Sequence, residues 1–374
     1  MNMIKVALGI TLAAMLGNAS AAESPLFKQY VALGDSLTQG VQGTSAEETR
    51  QPSAYPALLA KIMSTNYTQA PLTFPGNSIN DEDYIKGNIK WWQFYYPIIG
   101  GHRKDGYKNQ DTLNNFGISG AKIEHIIESK AKFEGMQKLV LGANGESAID
   151  QAMKQNPTFV SVWIGHNDVL AAVARTDTTN LTPLADFEKS LVILIKKIKD
   201  TPSVQGVVLA NLVDITQLPY LETVNLPEYP AGSKRVYYKS DANIKGPHQV
   251  LDPSELALIK ERLQAINALL KKAAADNGWA FVDFHQFYLN VVKRGHLLRG
   301  ENGFSNNDVI TTEYLGGLFS LDGMHISTTG QAVFANEFIN AINQHYLTSL
   351  PNVNEVAVSQ KDSLYQNPVN PRQQ

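Results

Sequence analysis

The chain has 374 residues, a formal net charge of −3, 43% hydrophobic and 18% charged residues. This is the balance of a globular protein with a sizeable core, and it offers no basic field for nucleic acid or an anionic membrane surface. Because the chain contains no cysteine, disulfides, thiolate metal sites, a cysteine nucleophile and a lipidated cysteine anchor are all excluded.

From the N-terminus, Lys5, the apolar stretch Val6–Gly17 and the small residues Ala19-Ser20-Ala21 predict a secretory signal over 1–21, with the mature chain starting near Ala22. A dozen apolar residues fall short of the about 20 needed to span a bilayer. The mature form is therefore expected in the periplasm or the medium, without a transmembrane segment. Compact apolar runs at Gln29–Leu33, Thr112–Phe116, Phe159–Ile164, Val207–Leu212 and Ala280–Val282 predict strands buried on both faces of a parallel sheet.

Helical spacing is clearest from Pro253 to Asn277, with Leu256, Ile259, Leu263, Ile266 and Leu270 on one side. Asp252 is the expected N-cap, Glu255 completes a capping box and Gly278 supplies the stop. A last helix is expected over Thr328–Tyr346, with Ser327 able to cap it. Strands alternating with helices give an α/β class and a three-layer α/β/α fold of about five strands.

Three stretches break the rhythm: Tyr67–Asp111, Val213–Leu251 and Gln286–Leu321. They are weakly periodic and read as long loop insertions of functional kind. Trp91, Trp92, Phe94, Tyr95 and Tyr96, like Tyr220, Tyr229, Tyr237 and Tyr238, fit small hydrophobic clusters pinning those insertions or the lining of an acyl or sugar pocket or a lipid contact, and neither group is assigned a role. The expected organisation is one domain over 22–350, followed by a polar, mobile tail over 351–374.

Three predicted strands end in small polar motifs: Leu33-Gly34-Asp35-Ser36, Phe116-Gly117-Ile118-Ser119-Gly120, and Gly165-His166-Asn167-Asp168. Ligands of open parallel sheets bind at the carboxyl ends of strands, so neighbouring strands would gather Ser36, Gly120 and Asn167 in one crevice. Asp322 and His325, in Leu321-Asp322-Gly323-Met324-His325, precede the last helix and can reach the same edge. Acyl transfer needs such parts. Ser36 requires a base, and His325 is of the right type. Asp322 can fix the imidazole tautomer. The backbone N–H groups of Ser36 and Gly120 and the side-chain amide of Asn167 can donate to a tetrahedral oxyanion. Asp35 reads as structural, accepting backbone N–H groups in its turn, and Asp168 as an anchor of its loop.

The order GDSL, glycine motif, GxND and DxxH resembles the SGNH/GDSL hydrolase superfamily, from Gly34 to His325. Ser36, Gly120, Asn167 and His325 match the four letters, and Asp322 matches the third triad member. The resemblance implies a flavodoxin-like sheet in strand order 2-1-3-4-5, an esterase or lipase activity on carboxylic esters, and no cofactor. His166 fills the variable position of GxND and is set apart from the catalytic set. The long insertions leave the ester open, whether short-chain, phospholipid, acylated glycan or thioester.

Other chemistries lack their motifs: there is no G-x-S-x-G elbow, H-E-x-x-H, P-loop or G-x-G-x-x-G. His102, His125, His166, His248, His285, His296 and His345 lack ligand spacing and read as surface or satisfied core residues, so no metal is expected. The partner is a small-molecule, lipid or glycan ester. Two alternatives share the fold: an acyltransferase using an alcohol acceptor, and a non-catalytic lipid- or glycan-binding protein. The oligomeric state is left open.

Overall fold

The computed structural model describes residues 24–43, 45–73, 102–128, 134–143, 145–236 and 249–366. The expected signal segment, the tryptophan-rich cluster, Tyr237 and Tyr238 lie outside the described residues.

Strand β1 (Tyr30–Gly34) leads through a one-residue turn into the short helix α1 (Ser36–Gln39), followed by α2 (Tyr55–Ile62). After a short ribbon pairing Leu72–Thr73 with His102–Arg103 comes β2 (Asn115–Gly117), then α3 (Ile123–Ile127), α4 (Glu134–Leu141) and α5 (Ala148–Lys154). Strand β3 (Phe159–Trp163) feeds α6 (His166–Arg175), and α7 (Leu184–Lys199) precedes β4 (Gly206–Ala210). Helix α8 (Pro253–Asn277), β5 (Ala280–Val282), α9 (Phe284–Arg294), β6 (His296–Gly300), β7 (Gly303–Ile310), α10 (Thr328–Tyr346) and α11 (Glu355–Ser359) follow.

The first five strands form one parallel sheet in the order β2-β1-β3-β4-β5. Helices α2 and α10 pack together on one side, while α5, α7 and α8 form a continuous layer on the other. This is the expected three-layer α/β/α arrangement, with the expected strand order. Every residue of β1, β3 and β4 is buried, as strands sandwiched between two helical layers must be.

Local chemistry explains the helix ends. Asp252 accepts from the Ser254 and Glu255 N–H groups while Glu255 reaches back to the Asp252 N–H, and Gly278 closes α8 in the left-handed region at φ +63°. Ser327 caps α10 through the Gly330 N–H at 2.9 Å. Between the sheet and α10, Trp163 packs against Tyr55, Phe284, Phe334 and Phe338, with ring centroids 4.4–6.0 Å apart. Its indole N–H donates to the Asn211 carbonyl at 2.9 Å, so the polar end is satisfied.

Two expectations are corrected. Gln286–Leu321 is not a weakly structured insertion: it holds most of α9 and the antiparallel hairpin β6–β7. Helical and strand periods alternate too quickly there for either to emerge from the pattern. The chain beyond Leu350 is not a free tail as far as residue 366. Glu355 is 1% exposed and accepts from the Arg299 N–H at 2.7 Å and Asn336 Nδ2 at 2.6 Å, with His296 Nε2 2.9 Å away. Asp362 accepts from the Thr329 N–H at 2.8 Å in the first turn of α10. A polar segment docks when its polar groups satisfy buried ones, and composition alone does not reveal that.

Candidate active site

Ser36 opens α1, directly beyond the carboxyl end of β1, and is 7% exposed. Asp35 is the N-cap, accepting from the Leu37 N–H at 3.0 Å as expected of it. The turn is pressed against β2. A Cβ on Gly117 would come within 2.3 Å of the Gln39 nitrogen, so only glycine lets the two backbones meet.

Three further segments are tied to that turn. The Ile118 N–H donates to the Gly34 carbonyl at 3.1 Å and the Ser119 N–H to Gln39 Oε1 at 3.1 Å, which holds the loop through Gly120 beside α1. Gly120 lies at φ +77°, where a side chain is disfavoured. From the end of β3, Asn167 Nδ2 donates to the Ala121 carbonyl at 2.9 Å, and Asp168 Oδ2 accepts from the Ile123 N–H at 3.0 Å. Asp168 anchors its loop, as the sequence suggests. Burial pushes its carboxyl up to about 7, against the opposing effect of the Ile123 and Thr182 donors.

The fourth segment is a tight turn before α10. The Ser320 N–H donates to the His325 carbonyl at 2.8 Å and the Gly323 N–H to the Ser320 carbonyl at 2.9 Å. Asp322 Oδ1 accepts from the Met324 and His325 N–H groups at 2.9 and 2.8 Å, leaving Oδ2 2.6 Å from His325 Nδ1. His325 Nε2 lies 2.9 Å from Ser36 Oγ. A carboxylate only accepts, so the imidazole proton sits on Nδ1 and Nε2 is free to accept from the hydroxyl.

Electrostatics reinforces this order. Burial works to raise the Asp322 carboxyl, yet the His325 charge and hydrogen bond, with the two backbone donors, hold it below the ordinary carboxylate range. Burial likewise works to lower His325, but the Asp322 charge and hydrogen bond, with the Asp35 charge behind them, bring it above the ordinary 6.5.

The structure thus brings Ser36, Asp322 and His325 into one hydrogen-bonded chain. Asn167 lines the same cleft as Ser36 and His325, and its amide is bonded to the loop that carries Gly120. Apart from His166 the rest of the cleft is apolar, including Leu170, Val213, Ile215, Leu218 and Phe319. Among the described residues no acidic, histidine or cysteine cluster suited to a metal ion is present.

His166, expected as a surface or core histidine, is a core residue that also lines this cleft: it is 6% exposed, and its Nδ1 lies 2.9 Å from Asp35 Oδ2, directly behind Ser36. The pair spans 131 positions of sequence, so only an unusual histidine inside GxND could have signalled it.

A family model described as GDSL-like Lipase/Acylhydrolase matches residues 30–338. Among solved structures, the chain is similar to a catalytic mutant of an acetylxylan esterase from Geobacillus stearothermophilus, at 17% identity over 86% of this chain and 97% of that one, with a TM-score of 0.40. It is also similar to LAE5, an alpha/beta hydrolase enzyme from the metagenome of Lake Arreo, Spain, at 17% identity over 86% and 97% of the two chains, with a TM-score of 0.42. Among curated proteins none matches.

Proposed function

Because the chain belongs to the GDSL-like lipase/acylhydrolase family, we propose that it hydrolyses carboxylic esters through an acyl-enzyme on Ser36. The observation that carries this reading is the continuous contact from Ser36 Oγ to His325 Nε2 at 2.9 Å and from His325 Nδ1 to Asp322 at 2.6 Å.

In the first step Ser36 Oγ attacks the ester carbonyl carbon while its proton passes to His325 Nε2. The carbonyl π electrons move onto oxygen, and the Ser36 and Gly120 N–H groups with the Asn167 amide stand as its donors. Collapse re-forms the carbonyl and breaks the bond to the alcohol, which leaves with the proton from His325. Water repeats the sequence on the acyl-enzyme: its proton goes to His325, its oxygen to the acyl carbon, and Ser36 recovers its hydrogen as the acid leaves. The apolar lining of the cleft supports a substrate that presents hydrocarbon next to the reacting carbonyl.

The test is covalent labelling by a fluorophosphonate probe beside turnover of p-nitrophenyl esters. Wild type is expected to displace fluoride from the probe and gain one phosphonyl group on Ser36. Ser36→Ala is expected to abolish labelling and cut ester turnover by roughly 10⁴-fold or more. Wild type that neither labels nor turns over any ester would remove the hydrolase reading and favour a binding protein on the same fold.

A further inference from the structure

Two buried groups beside the nucleophile have no part in the reaction as written. Asp35 is fully buried and immediately precedes Ser36. One of its oxygens holds the Leu37 N–H at 3.0 Å and the other faces His166 Nδ1 at 2.9 Å. His166 starts α6, one residue before Asn167. Its ring packs edge-on to Trp163 with centroids 5.1 Å apart, and its Nε2 is buried with no hydrogen-bond partner among the described residues.

Packing alone does not account for this arrangement. A carboxylate and an imidazole both lose hydration when buried, and an apolar pair of similar shape would avoid that cost. An imidazole nitrogen left without a partner adds to it. The contact does fix one thing: a carboxylate only accepts, so His166 presents its Nδ1–H to Asp35.

We propose that His166 is a positioning residue, forming with Asp35 a second carboxylate–imidazole pair that locks the Ser36 turn and keeps a negative charge behind the catalytic base. The inference rests on the ester-hydrolase reading. Asp35 is both the cap of α1 and the residue before the nucleophile, so movement of its side chain moves the serine. Among the described residues, the charged or titratable side chains set around His325 are Asp322 on its own turn, Asp35 before α1 and His166 at the start of α6. Of these, Asp35 adds its charge to that of Asp322 in supporting the imidazolium, and His166 is the hydrogen-bond donor that holds the Asp35 carboxylate in place. His166 thereby acts on Ser36 and on His325 through Asp35.

The experiment compares His166→Phe, which fills the same space without a donor, with His166→Asn, whose amide can donate to Asp35. For a p-nitrophenyl ester, His166→Phe should lower kcat roughly 10–100-fold, the loss expected from a small displacement of a reacting group, with a smaller change in KM. The acid limb of its kcat/KM profile should move to lower pH, because an Asp35 side chain released from His166 is free to turn its charge away from the imidazolium at 325. His166→Asn should recover most of kcat and return the limb towards wild type.

Equal loss in both variants, or an unmoved limb in His166→Phe, would overturn the proposal. Should His166→Phe fail to fold by near-ultraviolet circular dichroism, Asp35→Asn supplies the same reading: it keeps an acceptor for Leu37 and removes the charge. Its limb should also fall, and an unmoved limb would again overturn the role. A wild type that is labelled and active while these limbs stay fixed defeats only the His166 inference; a wild type without labelling or turnover defeats the hydrolase reading and this one with it.

Discussion

At the residue scale, the tautomer of His325, and with it the direction of the proposed proton transfer, is set by one carboxylate. Asp322 spends Oδ1 on two backbone N–H groups and so cannot rotate away from His325. Asp322→Asn keeps those acceptors but turns an amide N–H towards Nδ1, which favours the tautomer with its proton on Nε2. Nε2 can then no longer accept from Ser36. Ester turnover is expected to drop about 10⁴-fold. The pH profile carries a separate signature. His325 acts as a base only when neutral, so activity falls as pH drops through its pKa, which lies above the ordinary 6.5. Without the Asp322 charge that limb should shift downward in the residual activity, and a kcat/KM profile from about pH 5 to 9 checks it.

Ser36, Asp322 and His325, and the roles proposed for them, are legible at this scale, because a weak nucleophile, a base and an orienting carboxylate are different residue types in fixed motif order. His166 is not. Its partner lies far away in sequence, and a histidine shows its use only when the atom facing each ring nitrogen is known.

Element ends do more than stop helices and strands, because they also tie the site segments to one another. Asp168, one residue beyond Asn167, binds the Ile123 N–H and so fixes the distance between the Asn167 amide, the proposed oxyanion donor, and the loop of Gly120. Burial raises its folded-state pKa to about 7, whereas the unfolded chain titrates near 3.8. Between these values the folded state holds more protons than the unfolded one. Stability from this group is therefore full below the unfolded value and is lost as pH rises through about 7. Asp168→Asn keeps an acceptor for Ile123 and cannot ionise. The melting temperature of the variant relative to wild type should climb from about pH 4 to 7 and then level, the slope bounded by about 1.4 kcal/mol per pH unit. A difference that is flat with pH would sink this account.

Element ends are also where the sequence was most readable. Asp252, Glu255 and Gly278 mark α8 to the residue, since caps act through neighbours two or three positions away. The extents of the strands shift by up to three residues at an end. The run from Thr112 starts as a 3₁₀ turn and pairs only from Asn115, because pairing depends on the facing strand rather than on local apolarity.

For the whole molecule, strand order creates the crevice. The chain leaves β1 for β2 on one side and returns to β3 on the other, so the segments after β1 and β3 diverge and leave room between them. Ser36 and Asn167 follow these two strands. The same scale reveals what the C-terminal segment does. Glu355 and Asp362 satisfy buried groups of β6 and α10, and α10 follows directly on the turn bearing His325. A chain ending at Leu350 is expected to melt at a lower temperature than the full chain, since each stranded polar group costs about 1–3 kcal/mol and each kcal/mol corresponds to about 2–4 °C for a domain of roughly 150–250 residues and less for a larger one. Calorimetry of the two forms checks it, and equal melting temperatures would refute the pinning role.

By itself the sequence determined the alternation of strands and helices, the caps of the long helices and the four motifs with their residue types. All of these depend on neighbours within a few positions. Only the tertiary structure decided that Asp35 meets His166, that Glu355 closes onto β6 and α10, and which side of the imidazole at 325 faces the serine. Those outcomes depend on which distant groups are left together once water is excluded, and hydrogen-bond satisfaction in a buried place is a property of the assembled fold.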